Sequence, residues 1–414
     1  MKLNYGRTFV LGLGFLGITL SWSIYNSYVP IFLSELLKDA AYRTTLVGLI
    51  MTFDNIAAIT LQPYFGALSD RTWTRVGRRM PFLLVGVPVA AVFFALIPFA
   101  RVALAAMIPI IIVMNVAMAA FRAPTVALMP DITPSPLRSK ANGIINFMGG
   151  LGALLAFFVF SQLYKMDPGL PFVVTGAIMV LIVLVLLRTI QESRDVDTGE
   201  GKAIGILEAM REVWTDRDSS ARRLLLAIFF WFVGWSGVEA LFTLYGVEVW
   251  GMTASAASFA LGFFSLSFLV FAIPSGFIAS AIGRKNTILA GVVGLGVMLA
   301  AMRFATPGFV LTGLLLLGGA FWALVNINSY PMVVDMTSKA KTGAYTGLYY
   351  FFSALAAIVA PPVFGWFMDI LGNRAMFLCA FLSFVAAFAF MLGVRRGEAV
   401  TPPRSSDGKV IVGA

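Results

Sequence analysis

Three side chains sit where an apolar chain can least accommodate them. Asp54, Arg122 and Glu239 each lie inside a long hydrophobic run. An ionisable group at the centre of a membrane helix costs about 2.5–3.5 kcal/mol, so it is expected to face a partner or a water-filled path. Two carboxyls on different spans, each roughly 15 Å from the outer end of its helix at about 1.5 Å per residue, suit proton carriage. Burial disfavours the charged form of a carboxyl, which brings proton loading and release within reach. Asp54 and Glu239 are therefore the candidate coupling groups. Arg122 suits a hydroxyl-bearing solute or serves as counter-ion to one of the acids. The alternative is a static ion pair that only holds helices together.

Polar and aromatic residues recur around these three. Trp22 and Asn26 share one run; Asn115 shares another with Arg122. Trp231 and Trp235 precede Glu239, and Trp322, Asn326 and Tyr330 form a further set. Spacings of four or seven put each set on one helical face. Asn142 with Asn146 and Tyr345 with Tyr349 repeat the spacing. Amide and charged groups suit the hydroxyls of a sugar, and an indole ring offers a flat apolar face with one polar handle. These residues are the candidate substrate contacts. The competing reading is an interfacial belt of tryptophans, which fits Trp73 and Trp250 better than the deeper rings. The chain has no histidine and one cysteine, Cys379. An intramolecular disulfide is excluded, and neither a metal centre nor a cofactor is expected. No nucleophile–base pair suggests an enzyme.

The elements that must position these residues are membrane helices. The chain is 59% hydrophobic and 12% charged, against about 25% charged in a soluble domain. Twelve apolar runs are long enough to cross a hydrocarbon core: roughly 8–33, 44–69, 81–100, 104–129, 140–163, 171–190, 223–249, 254–282, 286–303, 308–334, 341–368 and 375–394. The run that begins near Thr8 reads as span 1 rather than a signal peptide. Pro30, Pro63, Pro124, Pro274 and Pro331 are where spans are expected to bend or end. The segment 204–217, IGILEAMREVWTDR, reads either as an interfacial amphipathic helix or as a solvated linker.

An even number of spans puts both termini on one face. Of 30 Lys and Arg, 23 fall on that face and six on the other, with Arg122 between. Positive charge stays on the cytoplasmic side, so the termini are expected in the cytoplasm of a cell whose inner membrane holds the protein. The net charge of +10 thus finds its explanation in topology, and no nucleic-acid partner is called for.

The two halves of the chain echo each other. PDITPSPLRSKANG (130–143) is matched by VDMTSKAKTG (334–343), which pairs Asp131 with Asp335; Gly66, Gly77, Arg78 and Arg79 find a looser echo in Gly276, Gly283, Arg284 and Lys285. Two six-span halves, 1–190 and 223–396, follow, joined by a linker over 191–222 and ending in a tail, 397–414. Like-oriented repeats with a site between them belong to transporters. Asp70, at the end of span 2, needs a cationic partner because the helix dipole does not favour it there. Gly66, Asp70, Arg71, Arg75, Gly77, Arg78, Arg79, Asp131, Arg138 and Asp335 are the candidate parts of a cytoplasmic gate. Charge anchoring alone is the alternative.

LSDRTWTRVGRRMPF (68–82) and RAPTVALMPDITPSPLRSKANG (122–143) resemble the loop motifs of the major facilitator superfamily. More narrowly they resemble the glycoside–pentoside–hexuronide cation symporters, in the branch of sucrose and disaccharide carriers. The resemblance implies an all-α membrane protein of twelve helices in two six-helix halves, with spans 1, 4, 7 and 10 around a central cavity. It also implies a cation-coupled sugar symporter working by alternating access on a disaccharide or glycoside, with the proton as coupling ion and sodium as the alternative. A monomer in the lipid bilayer is expected. Two departures stand out. Asn115 occupies the span 4 position at which the sucrose carriers have an aspartate. Gln62 and Ala58 occupy the places of the paired aspartates of melibiose-type carriers, and the acid here is Asp54. The rival readings are a drug or metabolite exporter on the same scaffold, which the 37 Phe and 19 Met would suit, and a non-transporting sugar sensor.

Overall fold

A computed structural model describes residues 3–134, 137–192, 206–337 and 341–398; positions 139, 206 and 207 are described by backbone only. Twelve helices among these residues are long and apolar enough to span a membrane. The first six are α1 (Tyr5–Leu36), α2 (Arg43–Arg71), α3 (Met80–Ala100), α4 (Leu104–Ile132), α5 (Lys140–Met166) and α6 (Leu170–Thr189). The second six are α7 (Ser220–Glu248), α8 (Ala254–Ile282), α9 (Arg284–Met302), α10 (Phe309–Val334), α11 (Thr342–Leu371) and α12 (Ala375–Leu392). Every apolar run of the sequence is one of these helices.

The packing repeats in the two halves. α1 packs on α5 and α6, α2 on α4, and α3 on α4 and α6; α7 packs on α11 and α12, α8 on α10, and α9 on α10 and α12. Without a hydrophobic drive between helices in lipid, such seams depend on close backbone approach at small residues. A Cβ on Gly152 would stand 2.5 Å from the Leu16 carbonyl oxygen, and one on Gly319 would stand 2.1 Å from the carbonyl oxygen of Phe264. Gly319→Val is therefore expected to force α8 and α10 apart and to cost about 1–3 kcal/mol or more. Thermal unfolding of the purified variant in detergent checks this; an unchanged midpoint would refute it.

Helices run through Pro30, Pro63, Pro124, Pro274 and Pro331. α2 instead breaks at Thr52, which has neither proline nor glycine beside it. Its two segments are α2a (Arg43–Met51) and α2b (Phe53–Arg71). The Thr52 hydroxyl donates to the Leu49 carbonyl at 2.7 Å, and its N–H turns back to the same carbonyl at 3.2 Å.

The halves meet unevenly. On the face away from the termini, α2a packs on α11, α1 on α7 and α5 on α8. Ser255 donates to the Ser161 carbonyl at 2.6 Å and Ser258 to Ser27 at 3.2 Å across this seam. On the face that carries the termini, a Cβ on Gly143, Gly276 or Gly343 would meet nothing within 4 Å. The halves are thus closed on one face and parted on the other.

A short helix between the halves, Ile206–Thr215, occupies most of the ambiguous 204–217 segment. It docks on the protein. Ala209 and Val213 are buried, Trp214 stacks on Phe352 of α11 with centroids 6.0 Å apart, and Lys341 bonds Glu212 at 2.8 Å. Just beyond it, Arg396 pairs with Asp216 and Asp218, each at 2.6 Å, and its hydrogen bond holds Asp216 below the usual carboxylate range.

Candidate functional site

A cavity of about 270 Å³ lies between the halves, where the closed face gives way to the parted one. It is near the lower edge of the roughly 300–1,000 Å³ of small-molecule pockets. α1 contributes Thr19, Trp22 and Asn26; α2 contributes Asp54 and Asn55, and α4 contributes Arg122. From the other half come Ser236 and Glu239 of α7, and α11 supplies Ala357 and Pro361. All three costly ionisable residues of the sequence thus border one space.

The break at Thr52 places the acid. Asp54 falls in the first turn of α2b, where free N–H groups favour a carboxylate. Its Oδ1 accepts from the Asn55 backbone N–H at 2.6 Å and from the Asn55 amide at 2.7 Å. Arg122 and, across the cavity, Glu239 are the charges that act on it. Glu239 faces Trp235 on its own helix and Asn26 on α1 of the other half. The arrangement brings two carboxyls, one guanidinium and several amide and hydroxyl groups to one space.

The other expected contacts are more scattered. Trp235 stacks on Trp322 at 5.1 Å and on Phe264 at 4.4 Å, and Phe232 meets both Trp322 and Tyr349 edge-on. Tyr349 is buried beside Ser329 at 3.3 Å; Tyr330 shares a 3.2 Å hydrogen bond with Thr346, and Asn326 is half-buried. These form an aromatic wall in the second half. Trp231 is fully buried with its indole N–H unpartnered, away from the cavity. Asn115 is buried with its amide beside the Tyr25 phenol. Asn142 and Asn146 are exposed along the parted side of α5. Tyr345 lies at the end of α11 near Glu212 and Lys341. Thr19, Asn55 and Ser236 border the cavity without having been marked by the sequence reading.

On the terminal face the motif residues form one cluster. Arg78 grips Asp131 with two bonds, 3.1 and 2.7 Å, and Arg79 reaches the same carboxylate at 3.0 Å. Arg79 also pairs with Asp70 and bonds Ser69. Gly77 turns at φ 114°, which L side chains rarely adopt, and a Cβ there would meet Glu192 at 2.5 Å. The Glu192 carboxylate accepts from the backbone N–H groups of Arg78, Arg79 and Met80 at 2.8–3.1 Å, which caps α3. Arg138 closes the end of α4 through the Pro130 and Thr133 carbonyls. Gly66 is the carbonyl that Arg79 approaches at 3.4 Å, whereas Arg71 and Arg75 are exposed. The second half repeats the design: Gly283 turns at φ 88°, Glu398 caps α9 through Arg284 and Lys285, and Arg284 pairs with Asp335. The two acidic caps, each just after the last span of its half, were not singled out from sequence.

Two six-helix repeats around a central polar cavity define a secondary-transporter fold of the major facilitator type. A family model described as "MFS/sugar transport protein" matches residues 10–343, and the chain belongs to that family. The general alpha-glucoside permease of Schizosaccharomyces pombe is 25% identical over 296 residues, 62% of this chain and 53% of the permease, so the chain spans about half the length of that relative. A class G tetracycline resistance protein of Vibrio anguillarum is 25% identical over 85% of this chain and 86% of its own. The crystal structure of a D-xylose-proton symporter superposes with a TM-score of 0.73 at 17% identity, over 94% of this chain and 97% of that one, a likeness of fold alone.

Proposed function

We propose that the protein is a proton-coupled sugar symporter that carries a disaccharide or other glycoside by alternating access. The observation that carries this reading is the shared cavity, into which one half sends Asp54 and Arg122 and the other sends Glu239. Groups this costly to bury in lipid are retained where they bind and release something. Asp54 and Glu239 would carry the proton; Arg122, Asn26, Asn55 and Ser236 would take sugar hydroxyls; Trp22 would cover an apolar sugar face. The family assignment and the printed name of the glucoside relative support a sugar as cargo. The positive-inside balance supports a cytoplasmic terminal face in a cell membrane, and the cavity then opens inward. The Asp70–Arg79–Asp131 cluster would lock or release that face.

Sugar uptake into proteoliposomes under an imposed pH gradient, with a panel of labelled disaccharides, tests the reading. Trp22→Ala is expected to raise KM about tenfold, the loss of one aromatic platform, with the protein still folded. An unchanged KM would remove Trp22 from the sugar site. A second reading, an exporter of apolar compounds, draws on the tetracycline relative and on the wall formed by Phe232, Trp235, Trp322 and Phe264. Proton-driven movement of tetracycline in the same vesicles, with no disaccharide carried, would favour it.

A further inference from the structure

The closed seam contains a contact that charge balance alone does not call for. Asp369 stands two residues from the end of α11, where the helix presents free carbonyls and its dipole disfavours a carboxylate. It faces the first turn of α2a, in the other half. Its Oδ1 accepts from the Thr44 N–H at 3.0 Å, and its Oδ2 accepts from the Thr45 N–H at 2.8 Å and the Thr45 hydroxyl at 2.7 Å. Free N–H groups at a helix start are ordinarily satisfied by the residue just before it. Here that residue is Tyr42, which makes no side-chain cap. Asp369 supplies the cap from another helix and another half.

The surroundings tie the contact to a close approach of the two helices. A Cβ on Gly48 would fall 2.4 Å from the Pro361 carbonyl oxygen, and one on Gly365 would fall 2.4 Å from that of Thr44. The α2a and α11 backbones therefore touch. Arg43 pairs with Glu248 at 2.7 Å alongside, and Asn373 holds the same carboxylate at 2.8 Å. When this seam parts, Asp369 loses its donors and α2a loses its cap.

α2a packs chiefly on α11 and α2b chiefly on α4, with a lesser contact of α2b on α11. They join at Thr52, and the next polar residues, Asp54 and Asn55, border the cavity. Pro361, against which Gly48 packs, borders the same cavity. We propose that Asp369 is a positioning residue: by capping α2a across the halves it holds the closed face shut and fixes, through the break at Thr52, how Asp54 and Asn55 face the cavity. The proposal rests on the alternating-access reading, yet both of its readouts work without any substrate, so a protein that carries no sugar still decides it.

Spin labels at Val102→Cys and Phe304→Cys, exposed positions on the closed face in opposite halves, report the seam by double electron–electron resonance in a Cys379→Ala background. Asp369→Ala is expected to raise the longer-distance population roughly tenfold, the weight of one lost cap. Asp369→Glu should restore the short distance. In vesicles that expose the terminal face, labelling of Asn55→Cys by an impermeant maleimide should slow at least fivefold with Asp369→Ala and recover with Asp369→Glu. An unchanged distance distribution in folded Asp369→Ala overturns the proposal. So does a shifted seam with unchanged labelling of position 55, which would break the link through Thr52. Should the alanine variant fail to fold, Asp369→Asn, which keeps one acceptor, carries the same comparison.

Discussion

Asp54→Asn is expected to end concentrative uptake while sugar exchange across the membrane continues. One pH unit is worth 1.36 kcal/mol per proton. A symporter moving one proton per sugar therefore accumulates sugar about tenfold under a one-unit gradient, and an uncoupled carrier only equalises it. The proposed coupling gives the reason for expecting the amide to uncouple. Asp54 is held by Asn55 and acted on by the Arg122 charge. On the proposed coupling, a proton arriving at Asp54 would cancel the negative charge that acts on Arg122 and leave the guanidinium to sugar hydroxyls, so that proton and sugar load together. An asparagine mimics the protonated acid permanently: Arg122 stays available, sugar binds, and no proton is exchanged. Glu239→Gln is expected to uncouple in the same way, since Glu239 is the other acid of the cavity and faces Asn26 of the opposite half. The measurement is the accumulation ratio in proteoliposomes, with counterflow as control. Tenfold accumulation surviving in both variants would place the coupling site elsewhere.

How much of this was legible beforehand follows from what each feature depends on. The twelve spans depend on local hydropathy, and every one of them is present. The repeat marked Asp131 with Asp335 and Arg78 with Arg284 as equivalent positions, but the partner expected for the arginines was Asp70; that Arg78 pairs with Asp131 and Arg284 with Asp335 came from the structure. Depth put Asp54 and Glu239 at one level and Arg122 nearer the cytoplasmic face, yet all three border one cavity. What stayed hidden depends on neighbours distant in sequence. Trp231 and Trp235 share a helical stripe, yet one is enclosed by its own half and the other stacks into the aromatic wall. Hydropathy cannot rank two residues four apart on one face. The break in α2 was sought at prolines, but Pro63 is accommodated within its helix and Thr52 turns the chain through its own hydroxyl. Glu192 and Glu398 act as caps only because α6 and α12 end beside α3 and α9. A faint signal for them existed: they are offset by 206 residues, as are Arg78 and Arg284.

Those two repeats differ in burial, and the difference sets the sharpest stability contrast in the molecule. Arg78 and Arg79 are 5% and 4% exposed, and the Asp131 side chain that serves both is 8% exposed. Removing one partner of a buried ion pair leaves an uncompensated charge, at a cost of about 3–5 kcal/mol. Asp131→Ala strands two guanidiniums at once. Asp70 is the remaining acid beside Arg79, it is exposed, and Glu192 is already committed to backbone N–H groups. Asp131→Ala should therefore fall at the upper end of that range. Asp131→Asn keeps an acceptor and should cost less. The matching residue, Asp335, has a 42% exposed side chain against one arginine that is 19% exposed. Water can replace it, so Asp335→Ala should cost no more than about 1 kcal/mol. Unfolding of the four proteins in one detergent gives the comparison directly. Equal losses for Asp131→Ala and Asp335→Ala would mean that the buried cluster adds nothing beyond charge anchoring at the membrane surface, and the gate role would fall with it.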